Sequence, residues 1–188
     1  ENGAVDDKSI IVDLLYDKDK RLMCVSMYLE DNERVYNIYK KESRDYTSKW
    51  VLVDSDNVMK SLCYDLDSTK LLGVSSYDSQ IYQSKFMSDI SYDHWNGPIN
   101  YDIPMRKIMF DKDNFMIGID LVNNFIYKKK TINWKTSDWD TENINKTKVY
   151  DLFYDKDGCF IAATPEGVKK QLHPGDFNSV FISIKDYK

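Results

Sequence analysis

The sequence predicts an all-β fold, a β-propeller of four blades, each blade a meander of four antiparallel strands. Three observations carry that prediction. One segment is written four times: YDKDKRLMCVS at 16–26, YDLDSTKLLGVS at 64–75, FDKDNFMIGI at 110–119 and YDKDGCFIAA at 154–163. The aromatics that open it, Tyr16, Tyr64, Phe110 and Tyr154, are spaced 48, 46 and 44 residues apart. Aromatics make up 14% of the 188 residues, and such side chains favour the pleated, half-buried surface of a sheet. Finally, helical periodicity is nowhere sustained over three turns. Four strands in a unit of about 40–50 residues is the arithmetic of a propeller blade.

Within a unit the elements follow in a fixed order. The first, inner strand is a short apolar or alternating run such as KSLCYD or RKIMFD, and it ends in an Asp-x-Asp turn. Asp, Asn, Ser and Gly at such joints tolerate left-handed backbone or cap their own chain. The second strand (LLGVSS, MIGID) carries the landmark Val25, Val74, Ile119 or Ala163. The third reads IYK at 38–40, IYQ at 81–83, IYK at 126–128 and, more weakly, VKK at 168–170. The fourth is marked by Trp50, Trp95 and Trp139, with Phe181 at the corresponding distance in the last copy. The units run over about 9–56, 57–102, 103–147 and 148–188, one propeller domain spanning 1–188. A single twisted sheet cannot cover both of its faces, so blades bury one another, with the inner strand expected to be the most apolar and the Trp strand more polar.

Composition narrows the function. A net charge of −5, with Lys and Asp scattered through each other, leaves no basic stripe for a phosphate backbone, so nucleic acid is not an expected partner. No apolar stretch approaches the ~20 residues that span a bilayer. A removed signal peptide or a cloning boundary would each put Glu1 at the start, and the Asn145-Lys146-Thr147 sequon tilts the expected compartment toward secretion. Three cysteines, Cys24, Cys63 and Cys159, form no disulfide framework. Each sits in or beside an apolar run, as a buried small hydrophobe does, with a Cys24–Cys63 bridge as the alternative.

Units such as MRKIMFDKDNFMIGIDLVNNFIYKKKTINWKTSDWD, with YDKDGCFIAA for the first half and YDHW (92–95) or SDW (137–139) for the second, resemble the tachylectin-type propeller repeat. The resemblance spans nearly the whole chain. It implies a propeller lectin that binds N-acetylated amino sugars in shallow sites repeated once per blade. The chain departs from that family in having only 7 Gly and no Gly-Gly pair, and four units where the family generally has five.

The candidate sugar sites are aromatic–acid pairs: Asp93, His94 and Trp95 in one unit, Asp138 and Trp139 in the next, and Trp50 as the weakest copy. A Trp ring supplies a flat apolar face for the C–H side of a sugar, and a carboxylate accepts from its hydroxyls. The alternative role for the repeated Trp is packing between strands and blades. The Asp-x-Asp turns (Asp17/Asp19, Asp65/Asp67, Asp111/Asp113, Asp155/Asp157) have oxygen chemistry suited to calcium. However, Phe160 stands where a calcium-binding loop needs Gly, so the turns read as self-capped and no metal or cofactor is expected. The two histidines, His94 and His173, lie in no catalytic motif, and nothing specifies an enzyme. His173-Pro174-Gly175-Asp176 reads as a surface turn, and YKKK at 127–130 as a solvated strand edge. The function expected is therefore non-enzymatic glycan recognition through repeated weak sites made useful by multivalency, with a protein-interaction or structural propeller as the alternative.

Overall fold

The computed structural model describes residues 9–57, 59–65, 70–84, 95–100, 103–155 and 157–184. The fold is all-β, a four-blade β-propeller, and the four blades fall on the four sequence repeats. The chain divides into two compact units, Glu1–Tyr101 and Asp102–Lys188, each of two blades. Among the described residues no helix is long and apolar enough to cross a membrane.

In unit 1, blade 1 comprises β1 (Ile10–Tyr16), β2 (Leu22–Glu30), β3 (Glu33–Lys41) and β4 (Trp50–Asn57), and blade 2 comprises β5 (Met59–Tyr64), β6 (Leu71–Ser75), β7 (Ile81–Ser84) and β8 (Trp95–Asn100). Both are antiparallel meanders in which neighbours in sequence are neighbours in the sheet. In unit 2, blade 3 has β9 (Met105–Phe110), β10 (Met116–Asp120) and β11 (Ile126–Lys128), and blade 4 has β12 (Asp151–Tyr154), β13 (Phe160–Thr164), β14 (Gly167–Gln171) and β15 (Phe181–Ser183). Blade 3 has no regular fourth strand; that place is taken by two isolated bridges, Lys129 to Trp139 and Ile126 to Asn145.

The second strand, not the first, is the most buried. Every residue of β6 and β10 is buried, whereas β1 and β12 alternate with exposed positions. The reason is geometric: the second strand has a neighbour on each edge as well as cover on its faces, whereas the first has one open edge.

Each blade has a leading and a trailing face, set by side-chain alternation. In unit 1 the trailing face of blade 1 (Met23, Val25, Ile38, with Leu15) packs against the leading face of blade 2 (Leu62, Leu71, with Tyr64 and Trp95) in one core cluster. In unit 2 the trailing face of blade 3 (Ile117, Ile119, Ile126, with Met109) packs in the same way on the leading face of blade 4 (Leu152, Phe160, Ala162, with Tyr154). Polar groups at one strand position join the blades within each unit. Asp13 Oδ2 accepts from Ser61 Oγ at 2.7 Å and from the Leu62 N–H at 2.8 Å. At the same position in unit 2, Lys107 Nζ lies 2.6 Å from Asp151 Oδ1.

Candidate functional site

The repeated aromatics fall in a single register. Cross-strand partners are Lys41 and Trp50 in blade 1, Ser84 and Trp95 in blade 2, Lys129 and Trp139 in blade 3, and Gln171 and Phe181 in blade 4. Phe181 thus does take the Trp place in the fourth copy, packed beside the core of unit 2.

Trp139 is only 2% exposed. Lys129, itself buried, lays its ammonium 4.5 Å from the centre of that ring and donates to the Ser137 carbonyl at 2.6 Å. A buried ammonium needs such acceptors, and a desolvated cation–π contact adds to them. The ring edge lies so close to Gly118 that an added Cβ would come within 2.8 Å of Trp139 Cη2 and 2.7 Å of Met105 Sδ. Gly73 stands in the same relation to Trp95 Cη2 and Met59. Glycine on the second strand is what lets the Trp ring lie flat, and this is the blade's own packing.

Trp95 is half-buried against the core of unit 1, and its Nε1–H is buried without a hydrogen-bond partner. Trp50 is half-buried, with Lys41 Nζ 4.6 Å above its ring. Asp138 is exposed, while Asp93 and His94 lie outside the described residues. Each of these Trp residues thus belongs to its own blade. Trp134, which the repeat does not use, is buried and meets Phe110 edge-on at 6.5 Å.

Three of the four Asp-x-Asp turns, those led by Asp17, Asp111 and Asp155, are self-capped, as expected; in the fourth, Asp67 lies outside the described residues. Asp17 Oδ1 accepts the Arg21 N–H at 2.7 Å; Asp111 Oδ1 accepts from Asp113 and Phe115, and Asp155 Oδ1 from Asp157 and Cys159. The fourth residue after the aromatic has positive φ where it is described: Lys20 at 60°, Asn114 at 66° and Gly158 at 75°. The second oxygen of Asp17, Asp111 and Asp155 meets a third-strand lysine: Lys40 at 3.5 Å, Lys128 at 2.8 Å and Lys170 at 2.6 Å. Burial pushes the Asp17 carboxyl up, but the Arg21 N–H, its guanidinium and Lys40 outweigh it and hold it below its ordinary value. Asp155 shows the same balance, with Lys170 and the Cys159 N–H overcoming desolvation. Only Lys130 of the YKKK run is solvated: Lys128 closes the Asp111 turn and lies over Phe115, and Lys129 is buried under Trp139. Charge pairing, invisible in a linear run, explains why.

The three cysteines form no disulfide; Cys24 and Cys159 are buried, and burial pushes the Cys24 thiol up to about 11. Asn145 of the sequon is buried and donates its Nδ2–H to the Phe177 carbonyl at 2.9 Å, an engaged rather than a presented amide. His173 to Asp176 form the expected exposed turn.

The face that differs from its counterparts is the leading face of blade 1. Leu14 is 52% exposed, whereas the residues at its position in the other blades, Leu62, Ile108 and Leu152, are 3%, 1% and 1% exposed. Leu14 pairs across the strands with Cys24, Cys24 with Tyr39 and Tyr39 with Leu52, an apolar row whose outer members are open to solvent. On the same face Tyr16 is exposed, and its hydroxyl meets that of Tyr46 at 3.0 Å. Nothing in the sequence separates Leu14 from its equivalents, because the residue types match.

No family model and no curated protein matches the chain. Among solved structures it is similar to a protein of unknown function from Bacteroides caccae, with TM-score 0.57 at 5% identity, over 89% of this chain. The chain spans 65% of that protein's length. It is also similar to a Bacteroides fragilis protein named as a candidate 6-phosphogluconolactonase, with TM-score 0.49 at 10% identity, over 91% of this chain and 69% of the other. At such identities the likeness to the first is one of fold alone.

Proposed function

We propose that the chain is a non-enzymatic propeller module that binds a protein partner through the leading face of blade 1. The observation that supports this reading is the exposure of Leu14, beside Leu52 and Tyr16, at a position whose equivalents Leu62 and Leu152 lie in blade-to-blade cores. Leaving one Leu in water forgoes about 1.5–3 kcal/mol of burial, and an exposed apolar patch of this kind marks an interaction surface. Aromatic side chains are the usual anchors of such surfaces.

A second reading places an N-acetylated amino sugar on the same face. It is favoured by the aromatic edge that Tyr16, Tyr46 and the half-exposed Trp50 ring form in blade 1. Trp139 takes no part in it, because its ring is covered.

One experiment separates the two. The chain, immobilised as isolated molecules, is probed with a displayed peptide library and with a glycan array. The expected result is enrichment of apolar and aromatic peptides that the Leu14→Asp variant no longer selects, with a blank array. Selective binding of acetylated amino sugars that Trp50→Ala abolishes would move the reading to glycan recognition. No selection on either surface would overturn both.

A further inference from the structure

We propose that two copies of this chain pair through the outer edge of β4, antiparallel and about a two-fold axis beside Val51. This goes beyond the reading of the leading face of blade 1, because it uses the rim of that blade and does not involve Leu14. β4 is the last strand of its sheet, and among the described residues no strand pairs with its outer side. Val51, Leu52 and Val53, three apolar residues in a row, are 48%, 49% and 36% exposed. Consecutive strand residues point to opposite faces, so the edge is apolar and open on both.

The fourth strands of the other blades are guarded. β8 contains Pro98, which has no N–H to offer an incoming strand, and β15 has three residues. In blade 3 two isolated bridges replace the strand. β4 has eight residues and no Pro, and no charge interrupts the stretch from Trp50 to Val53. A long, apolar edge of this kind is a template for another strand.

The backbone and the charges specify which strand. The Glu42 N–H donates to the Lys49 carbonyl at 3.0 Å, and Lys41 and Lys40 stand opposite Trp50 and Val51. Hydrogen-bonded pairs alternate along an antiparallel ladder, so Val51 turns its backbone groups toward β3, while Trp50 and Leu52 turn theirs outward. A two-fold axis beside Val51 sets Trp50 of each copy opposite Leu52 of the other, and each such pair exchanges its N–H and C=O groups. Trp50 then packs on the facing Leu52, and the two Val51 side chains meet on the other face, as stabilising cross-strand pairs do. Lys49 is exposed at one end of the stretch, and Asp54 stands at the other. The register shift at Val53 puts Asp54 opposite Ile38, on the face that Lys49 shares. Antiparallel pairing brings Lys49 of each copy beside Asp54 of the other, whereas parallel pairing would set like charges together. Such a surface pairs with itself and closes at two copies.

Sedimentation velocity over a concentration series tests this. The wild type is expected to shift from 22.2 kDa to twice that mass as concentration rises. Leu52→Pro removes an N–H that the ladder with β3 does not use and should hold the chain at 22.2 kDa. Val51→Lys, which sets two ammonium groups against each other at the axis, should do the same and replaces Leu52→Pro if circular dichroism shows the latter unfolded. Val51→Cys should give a covalent dimer under oxidised glutathione that the wild type, with its own three cysteines, does not. Leu14→Asp should leave the dimer intact. A wild type at 22.2 kDa at every concentration, folded edge variants that still associate, a Val51→Cys chain that does not cross-link, or a dimer lost in Leu14→Asp would each overturn the proposal. Displayed peptides that a monomeric wild type selects and Leu52→Pro does not would assign the edge to a different protein and overturn self-pairing. Selection that depends on Leu14 alone would leave the reading of the blade 1 face standing.

Discussion

Blade 1 and blade 3 are written from the same unit, yet they treat it differently. Both have an IYKK third strand whose last Lys lies over a Trp, and both close an Asp-x-Asp turn with the preceding Lys. In blade 3 the Trp and the first-strand Ile108 are buried, whereas in blade 1 Trp50 is half-buried and Leu14 is open. The local motif is thus held within a blade, and its energetic weight depends on what lies across the blade's face. The difference teaches that a repeat can be equal in sequence and unequal in burial.

The sharpest way to break that comparison is to put the same charge at the two equivalent positions. Ile108→Asp places an unpaired carboxylate in a buried site and should cost more than about 4 kcal/mol, enough to unfold a marginal domain. Leu14→Asp should change stability by no more than about 0.5 kcal/mol. Chemical denaturation of the two variants reads both, and equal losses would show that Leu14 is covered in solution.

A smaller difference is expected at the tryptophans. Trp139→Ala should cost about 3–5 kcal/mol, since it empties the space between Gly118 and the Lys129 ammonium. Trp50→Ala should cost clearly less, its ring being half in water already. Urea midpoints at constant m-value measure this, and a larger loss for Trp50 would reverse the assignment of the tightly packed blade.

The smallest effect is common to both ends of the chain and serves as the control. The Asp17 and Asp155 carboxyls lie below their ordinary value when folded. Their contribution is therefore present above the unfolded carboxylate pKa of about 3.9 and is lost as pH falls from there through the folded value. Stability should drop across that acid window, and Asp17→Asn or Asp155→Asn should each flatten the drop by a similar amount. An unchanged acid profile in either variant would show that its turn does not depend on the charge.

Much of the fold was legible because its signals are local. The opening aromatic, the Asp that caps its own turn and the positive-φ residue four places on all act within a few residues, so they recur as text. Phe181 could be matched to the tryptophans by distance alone, and the strand register bears it out. The site was less legible. Trp139 read as a candidate sugar platform because an exposed and a buried Trp look alike in sequence, although Gly118, one strand away, hinted at close packing. The Lys run read as a solvated edge because its acceptors, Asp111 and the Ser137 carbonyl, come from other segments. The reduced fourth strand of blade 3 gave no signal either, since bridges and ladders share the same Trp landmark.

The sequence by itself determined the four units, their order of turns and strands, and the cross-strand place of each aromatic, because hydrogen-bonded turns and side-chain alternation depend on neighbours in the chain. Only the tertiary structure decided which copies of a repeated residue are buried. Leu14, Leu62, Ile108 and Leu152 occupy one position with nearly one chemistry, and three of them are covered while the first is not. Burial depends on what lies across the face, and that is a property of the packed sheets rather than of any residue's own segment.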